Sequence, residues 1–544
     1  MNLLEEFADW SCMLKRDDIP PRIEEKVRYQ VLSVLAAMMA GLQVQTGKKL
    51  MNAFPGSKNM DDGFWAIPNG RAYTLEESLL LNCSLGMILD YDDYLFMGHT
   101  GHSAVTTSLL LADREQLTWS QFLPAVVAAN EIAGRLGAAT IFGPRNGQLW
   151  SYIHLAAAST AVSRILGFGR EITTHSLAVA LYQPLLPLYP GFMGGECKVT
   201  TAATPTITGV HSAFLAQAGI TGNPKLLEEN QGFLEEFSPV PMNFFFSGWG
   251  KAWVSDTLIF KRFPGCAYVD AALDAWEDIQ GQLQEDVGRC IKPEEVKEVV
   301  VEASILTAGM EELSRKYRDS TSLLPININF SVAYSLALAI LNERVTPQSL
   351  DEDYLEKNKE DIVYLASKVR LIHDWESTVE VVKAVDESLD LSKVLAGYSF
   401  SQLKKVRKEL KTTSQLPDLK LSPLLRLIRV GPSLKKLFQH LETRRRLKNN
   451  SIPPFDLGNV NLDEMRLPFG AKVHLYLQDG KQYRAYYHIP RGAPGGQTYL
   501  EEAKEKWYRE AEPVLGEKKA EEICRLVLEE DFKAGELLDM LNIK

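Results

Sequence analysis

Acidic and imidazole side chains are concentrated in one short segment of this sequence. The segment contains Asp90, Asp92, Asp93, His99 and His102. Carboxylate and imidazole groups are well suited to moving protons near neutral pH. Apolar helical runs at 79–89 and 104–111 flank the segment, so it joins two helices that we expect to be buried. Two interpretations remain open: the wall of a catalytic pocket, or a solvated loop in which an aspartate caps the second helix.

The positions of the aspartates separate their expected roles. Asp90 directly follows the apolar run and is expected to face inward, whereas Asp92 and Asp93 are expected to cap the next helix. Carboxylates held close together repel each other, which can bring one of them to a pKa useful for catalysis. His99 lies between two glycines that permit tight turns. We expect it to form an acid–base pair with Asp90, and His102 is the alternative.

Two lysines and a tyrosine are further candidates. Lys198 immediately precedes an apolar helix, where the helix dipole disfavours a cation, so it could bind a substrate carboxylate. An exposed loop lysine is the alternative. Lys261 lies where the helical region gives way to a mixture of helices and strands, and such junctions often bind ligands. Tyr334 lies on an apolar helix, where a tyrosine is by default part of the core.

Composition excludes several classes of protein. The chain has 544 residues, 45% of them hydrophobic, which is enough for two or more domains. Its net charge of −11 argues against nucleic-acid binding. We find no signal-peptide pattern, no run long enough to span a membrane and no CxxC pair, which predicts a cytoplasmic protein with reduced thiols. No metal-ligand spacing or glycine-rich nucleotide loop is present, so we expect neither a metal nor a cofactor.

Helical periodicity dominates the first 255 residues. We predict helices at Ile23–Leu42, Leu75–Leu89, Thr106–Leu111, Trp119–Leu136, Ile153–Leu166, Ile172–Leu181 and Thr206–Ala218. Small residues are frequent in them, which allows close packing in a compact bundle. Glu131 and Arg135 are four residues apart on one of these helices and are expected to form a structural ion pair.

Strand-like alternation appears after residue 255. We predict strands at Val296–Ser304, Val369–His373 and Thr378–Val382, and a hairpin formed by Ala471–Leu477 and Tyr483–His488 around Asp479-Gly480. Two predicted helices, Val269–Trp276 and Ser331–Leu341, lie among them. This mixture predicts an α+β domain that follows the helical one.

The predicted fold is therefore of the α plus α/β class. A large all-helical domain covers 1–257, and a smaller α+β lid consists of 258–388 and the hairpin region 466–497. The basic helical segment 389–465 interrupts the lid as an insertion, which is either a solvated surface or a site for an anion or an acidic partner. We expect the amphipathic helices of 498–544 to pack on the helical domain.

Four stretches, in this order, resemble the MmgE/PrpD family. They are LDYDD…GHTGHSAV, the Lys198 segment running into TGVHSAFLAQAGITGNPKLLEENQGF, FKRFPGCAYVDAALDA and NFSVAYSLALAIL. The family includes 2-methylcitrate dehydratase and cis-aconitate decarboxylase. The resemblance implies a large all-α domain followed by an α/β lid, an active site between them, a homodimer and no cofactor. It implies catalytic roles for Asp90, His99, Lys198, Lys261 and Tyr334, and substrate contacts for Tyr94, His102 and Gln148.

The sequence also departs from the family pattern. The family's His-Pro is His99-Thr100 here, and a second family histidine corresponds to Gln148, which has no titratable proton. His154 could substitute for it. The surroundings are rich in apolar and aromatic side chains, which disfavours a tricarboxylate unless every charge is paired. These side chains are Phe96, Met97, Trp150, Tyr152 and Phe244–Phe246.

Three functions follow from these observations. The first is a cofactor-independent lyase or isomerase that removes a proton next to a carbonyl or carboxyl group, leading to dehydration, decarboxylation, a double-bond shift or ring closure. Its substrate would be less charged than citrate-type acids, as in specialised metabolism. The second keeps small polycarboxylates as substrates. The third is an inactive scaffold whose basic insertion binds a partner, and the retained family residues argue against it.

Overall fold

The computed structural model describes residues 1–56, 63–67, 72–96, 98–143, 151–318, 322–396 and 455–542. Gln148 and most of the predicted insertion lie outside these residues. The described part of the chain is mostly helical and contains a small mixed sheet. The predicted domain boundaries remain predictions.

Helices form most of the chain before residue 258, and all seven that we predicted there are confirmed with shifted ends. The α-helices observed in the described part of this region are α1 (Leu3–Met13), α2 (Pro21–Leu42), α3 (Gln45–Ala53), α4 (Leu75–Met87), α5 (Gly101–Arg114), α6 (Trp119–Ala139), α7 (Ser151–Ile165), α8 (Arg170–Leu181), α9 (Tyr189–Gly194), α10 (Thr200–Gln217) and α11 (Phe233–Phe237). Local signals explain several ends. Pro21 begins α2, and Thr74 and Glu77 form a reciprocal capping box at the start of α4.

Small residues bring these helices close together, as predicted. A Cβ added to Gly209 of α10 would lie 2.5 Å from the carbonyl oxygen of Leu155 in α7, so only glycine permits this crossing. Arg135 of α6 donates to Glu131 and to three backbone carbonyls of the segment 245–252. Glu131 accepts from the backbone of Val254 and Ser255. The pair therefore organises the chain that leads to Lys261.

The first 257 residues are not entirely helical, which corrects one prediction. Strands β1 (Phe64–Trp65) and β2 (Ala72–Tyr73) form a short hairpin. Strand β3 (Asp93–Tyr94) pairs with β4 (Ile259–Phe260) in antiparallel register, with Asp93 opposite Phe260. This small ladder joins the segment of the three aspartates to the segment of Lys261.

The remaining chain mixes helices with a four-stranded sheet. The helices are α12 (Ala267–Val287), α13 (Ile305–Lys316), α14 (Pro325–Ile328), α15 (Val332–Asn342), α16 (Glu352–Lys357), α17 (Lys359–Lys368), α18 (Trp375–Leu389) and α19 (Leu391–Ala396), followed by α20 (Tyr499–Leu515), α21 (Glu517–Glu529) and α22 (Ala534–Leu541). The strands are β5 (Val296–Ala303), β6 (Val369–His373), β7 (Ala471–Leu477) and β8 (Gln482–Tyr487). In the sheet order β6-β5-β7-β8, β5 and β6 are parallel and the other pairs are antiparallel.

Most strand predictions are confirmed, including the hairpin of β7 and β8. The predicted strand Thr378–Val382 is wrong, because these residues lie within helix α18. Asp374 caps that helix by accepting from the backbone of Glu376 and Ser377. Val381 and Val385, four residues apart, pack against the core from one face of the helix. Capping and helical spacing therefore outweigh the strand preference of the valines.

The sheet and the helices share one hydrophobic core. Ala471, Val473, Leu475 and Leu477 alternate as buried residues along β7, against which α12 packs. Helix α20 packs on α2. Of the residues described, no single helix is both long and apolar enough to cross a membrane, and only the pair α2 and α3, bent by 91°, passes such a test of length and composition. The six cysteines are all free.

Candidate active site

Asp90, one of the predicted site residues, is buried and lies in a strained turn. Its φ of +53° is in the left-handed region, which costs a residue with a side chain some free energy. Lys198 Nζ lies 3.1 Å from Oδ1 of Asp90. Lys261 Nζ lies 3.6 Å from Oδ2 of the same carboxylate and donates to the Asp90 carbonyl oxygen at 2.7 Å. The structure therefore brings these three predicted residues together.

Asp92 pairs with His99 and connects this group to the histidines, which corrects our expectation that Asp90 would be the partner of His99. Its Oδ1 lies 2.8 Å from Lys261 Nζ, and its Oδ2 lies 2.5 Å from Nδ1 of His99. His102 approaches the same Oδ2 with its Nε2 at 3.3 Å. Because an ionised carboxylate only accepts hydrogen bonds, Nδ1 of His99 is the donor. Asp92 is thus the side chain that contacts the most members of the cluster.

Our expectation that Asp92 and Asp93 cap the next helix is wrong. Helix α5 begins at Gly101, and the side chain of its N-cap residue, Thr100, makes no capping hydrogen bond. Asp93 instead accepts from Nε2 of Gln30 in α2 at 2.7 Å, and Gln30 in turn accepts from Asn130 of α6. Asp90 and Asp92 both reach Lys261, while Asp93 faces α2.

The other predicted site residues differ in whether they contact the cluster. Tyr94 is buried and stacks on His99, with ring centroids 5.4 Å apart. Tyr334 is half-buried, and the guanidinium of Arg318 lies 4.4 Å from its ring centroid. The contacts of Tyr334 described here do not include the Asp90 cluster, and the catalytic role of Tyr334 stays a prediction. His154 is buried, bonds to Ser103 Oγ at 2.9 Å, and its ring centroid lies 6.1 Å from that of His102.

Sequence analysis missed one charged residue of the site, Lys506 of α20. Its side chain is buried, and its Nζ donates to the carbonyl oxygen of Tyr91 and, at 3.0 Å, to Ser33 Oγ. A signal was present in the sequence. Lys506 lies between Ala503 and Glu510 on the buried stripe of an amphipathic helix, where an apolar residue is normally found.

Comparisons with known proteins give one family match and several distant relatives. Residues 5–243 match the MmgE/PrpD N-terminal domain. Cis-aconitate decarboxylase from Aspergillus terreus is 22% identical over 388 residues, which cover 67% of this chain and 77% of that protein. A cis-aconitate decarboxylase-like protein, oryM, from Aspergillus oryzae is 23% identical over 254 residues, which cover 44% of this chain and 52% of that protein. The match over residues 5–243 and these distant relatives support a diverged member of the MmgE/PrpD family. These relatives support an enzyme that is broadly of the lyase type.

Charges in the cluster of Asp90, Asp92, Lys198 and Lys261 are internally paired. Burial raises the pKa of Asp90, but the ammonium groups of Lys198 and Lys261 more than offset it and hold that pKa below its usual value. Burial likewise opposes ionisation of Asp92, but Lys261 and the two histidines hold its pKa well below the usual range. Asp90 and Asp92 are therefore ionised at neutral pH.

The remaining buried groups are shifted towards neutrality. Burial lowers the pKa of Lys198, raises that of Asp93 and lowers that of Lys506 to about 7. Burial also lowers the pKa of His154 well below its usual value, so this imidazole is neutral. Burial raises the pKa of Tyr94 well above its usual value, so its hydroxyl can donate but does not ionise. Burial thus disfavours the charged forms of Lys198, Asp93 and Lys506.

A small pocket, with a cavity volume of about 20 Å³, is lined in part by residues close in sequence to members of this cluster. None of the five predicted catalytic side chains lines it. Its wall instead includes Leu89, which precedes Asp90, and Glu196, which lies two residues before Lys198. The lining is mainly apolar, and its charged members among the described residues are Glu196 and Glu352. Lys49 bridges these two carboxylates at 3.0 and 2.8 Å. The pocket therefore offers carboxylates and apolar surface to a ligand.

Proposed function

We propose that this protein is a cofactor-independent lyase or isomerase in which His99 acts as the base. Proton abstraction next to a carbonyl or carboxyl group would then lead to dehydration, decarboxylation, isomerisation or cyclisation. The observation that carries this proposal is the contact of His99 with Asp92 and, through it, with Lys261. In the neutral imidazole, a proton fixed on Nδ1 leaves Nε2 with a free lone pair, which is the form that a general base requires.

Exposure supports His99 as the group that meets the substrate. Its side chain is 14% exposed, whereas those of Asp90, Asp92, Lys198 and Lys261 are 2% exposed or less. Two ammonium groups beside the reacting carbon would stabilise the negative charge that develops on an enolate or carboxylate oxygen. Asp90 would hold both lysines in place by pairing with them.

We propose a substrate that carries fewer negative charges than a citrate-type acid. Lys198 and Lys261 already pair with Asp90 and Asp92, so a bound trianion would find little uncompensated positive charge. Lys198 is further enclosed by the rings of Phe330 and Phe192, with centroids 4.1 and 5.0 Å from its Nζ. A substrate from specialised metabolism with one carboxyl or carbonyl group fits this balance.

The test compares acids of different charge on the same carbon skeleton. Purified protein is incubated in D₂O with cis-aconitate, 2-methylcitrate and their mono- and dimethyl esters, and mass spectrometry follows deuterium incorporation and product formation. We expect the esters to react faster than the free acids. The reaction should be lost in His99→Gln and Lys261→Met and kept in His211→Gln, a surface histidine that pairs with Glu76. Turnover that is equal in all four proteins would refute the assignment.

A second candidate is an enzyme that acts on small polycarboxylates. The names of the relatives, cis-aconitate decarboxylase and its homologue, favour it. In the same experiment it predicts that the free acids react faster than their esters. The ratio of the two rates therefore separates the candidates.

We also propose that the protein acts as a homodimer. Exposed apolar side chains lie near the ends of α8 and α10, which pack on each other, and include Tyr182, Leu188, Leu215 and Ile220. Apolar groups left in water in this number often mark a protein interface. Light scattering should give twice the chain mass of 60.9 kDa, and Leu215→Glu combined with Ile220→Glu should give the monomer mass.

A further inference from the structure

Lys506 occupies an unusual position for a lysine. Its side chain is fully buried, and its Nζ lies 4.2 Å from the ring centroid of Tyr91 and donates to the carbonyl oxygen of that residue. A second bond goes to Ser33 Oγ in α2. Burying an ammonium group costs several kcal/mol, so a lysine here calls for a role that a smaller neutral donor would not fill.

Two lysines hold consecutive carbonyls of the acidic turn. Lys261 donates to the carbonyl oxygen of Asp90, and Lys506 donates to that of Tyr91. The turn includes the left-handed Asp90, a conformation that persists only when its surroundings fix it. The two ammonium groups therefore fix the backbone from which Asp90 and Asp92 both extend.

Negative charge outweighs positive charge around Lys506. It interacts most strongly with Asp93, then with Asp92, and its neighbours on other elements include Lys261. On its own helix, Glu510 adds a negative charge, and Arg509 bonds to the hydroxyl of Tyr91 and to Glu510. The charge of Lys506 thus acts on the same carboxylates that contact His99 and Gln30.

We propose that Lys506 is a positioning residue for the reaction assigned above, and that its ammonium group both fixes the Asp90–Tyr91 turn and offsets the negative charge of Asp92 and Asp93. This proposal rests on the proposed function, because it concerns the base His99. With Lys506 charged, Asp92 holds the proton of His99 less strongly. The imidazole is then available in its neutral form.

The test measures the neutral form of His99 without any substrate. Diethyl pyrocarbonate acylates neutral imidazole, and mass spectrometry of peptides gives the rate for each histidine. At about pH 6, below the folded pKa of Lys506 and so with this lysine charged, we expect His99 to be modified at least about 3-fold more slowly in Lys506→Gln, which keeps a hydrogen-bond donor and loses the charge. His211, on the surface, serves as the reference within each sample.

Controls separate this role from a loss of structure. Lys504→Met removes a lysine from the same helix, outside the cluster, and should leave the rate at His99 unchanged. Lys506→Met removes both the charge and the donor and should slow the modification at least as much as Lys506→Gln. A folded Lys506→Gln protein with an unchanged rate at His99 would overturn the proposal. Failure of both variants to fold would overturn it too, because Lys506 would then be required for folding instead of tuning His99.

Kinetics distinguish this proposal from the proposed function. With whichever acid or ester is turned over, Lys506→Gln should lower kcat at least about 10-fold and leave KM nearly unchanged, because Lys506 acts through Asp92 and does not touch the substrate. A rise in KM alone would contradict the positioning role. If no acid or ester is turned over, the proposed function fails, while the rate at His99 still decides the role of Lys506.

Discussion

Asp92 joins the imidazole of His99, 2.5 Å away, to the ammonium group of Lys261, 2.8 Å away on its other oxygen. The two partners come from different parts of the chain, and the pairing of β3 with β4 sets their separation. The carboxylate fixes the orientation of the ring and stabilises the charge that His99 acquires when it takes a proton.

Asp92→Asn should therefore lower turnover by about 10²–10⁴-fold, because His99 loses the partner that stabilises its protonated form. Asp113→Asn, a half-buried aspartate of α5 outside the cluster, should keep wild-type turnover. Both are measured by deuterium incorporation from D₂O into the reacting substrate. Wild-type turnover in Asp92→Asn would exclude a role for this carboxylate.

Stability should rise with pH between about 7 and 10 because of Lys506. Burial lowers its pKa in the folded protein to about 7, whereas an unfolded lysine titrates near about 10.4. In this window Lys506 binds a proton in the unfolded chain and not in the folded protein. The contribution of Lys506 to the free energy of unfolding therefore grows by up to about 1.4 kcal/mol per pH unit.

Urea unfolding at several pH values within this window checks the effect. As pH rises, the free energy of unfolding of the wild-type protein should increase relative to that of Lys506→Met. The free energy of unfolding of Lys504→Met should change with pH in the same way as that of the wild type. Parallel curves for the wild type and Lys506→Met would show that this lysine does not titrate in the folded protein.

The ion pair of Lys198 with Asp90 should show strong energetic coupling. Lys198→Met leaves a buried carboxylate with one partner fewer, and we expect a loss of about 3–5 kcal/mol in the free energy of unfolding. The double variant Asp90→Asn with Lys198→Met should recover part of that loss. Lys49→Met, which removes its two surface ion pairs with Glu196 and Glu352, should cost about 1 kcal/mol or less. Additive losses in the double variant would refute the coupling.

Gly101 should tolerate no side chain. A Cβ at this position would lie 2.2 Å from Oδ1 of Asp93 and 2.7 Å from Cγ2 of Val34. Gly101→Ala should therefore lower the free energy of unfolding by about 1–3 kcal/mol and displace the acidic segment. Gly281→Ala, in open space on the exposed side of α12, should instead stabilise the protein by about 0.4–1 kcal/mol. Thermal or urea unfolding distinguishes the two signs.

Local pattern was sufficient to predict the seven helices named above before residue 258 and most of the strands. Helical spacing and turn residues depend on near neighbours, and these are present in the sequence. The family resemblance added Lys198 and Lys261 as members of the same site, and the structure places both on Asp90. The strand predicted at Thr378–Val382 failed because the capping residue Asp374 was overlooked.

Charge pairing between distant segments could not be predicted. Asp92 was interpreted as a helix cap because nothing in its local sequence indicates that Lys261 and two histidines converge on it. The buried helical stripe marked Lys506 as unusual, but its partner could not be predicted, since its bond to Tyr91 joins residues 415 positions apart. Only the folded chain shows which of several polar residues has lost contact with water.

That separation has a consequence for synthesis of the protein. A ribosome adds about 5–20 residues per second, so roughly 20–80 s pass between the translation of Tyr91 and that of Lys506. During this time the nascent acidic turn has to remain hydrated or find other cations, because the ammonium group that fixes it has not yet been made. The charged centre of this enzyme is therefore completed only at a late stage of translation, when α20 docks on α2.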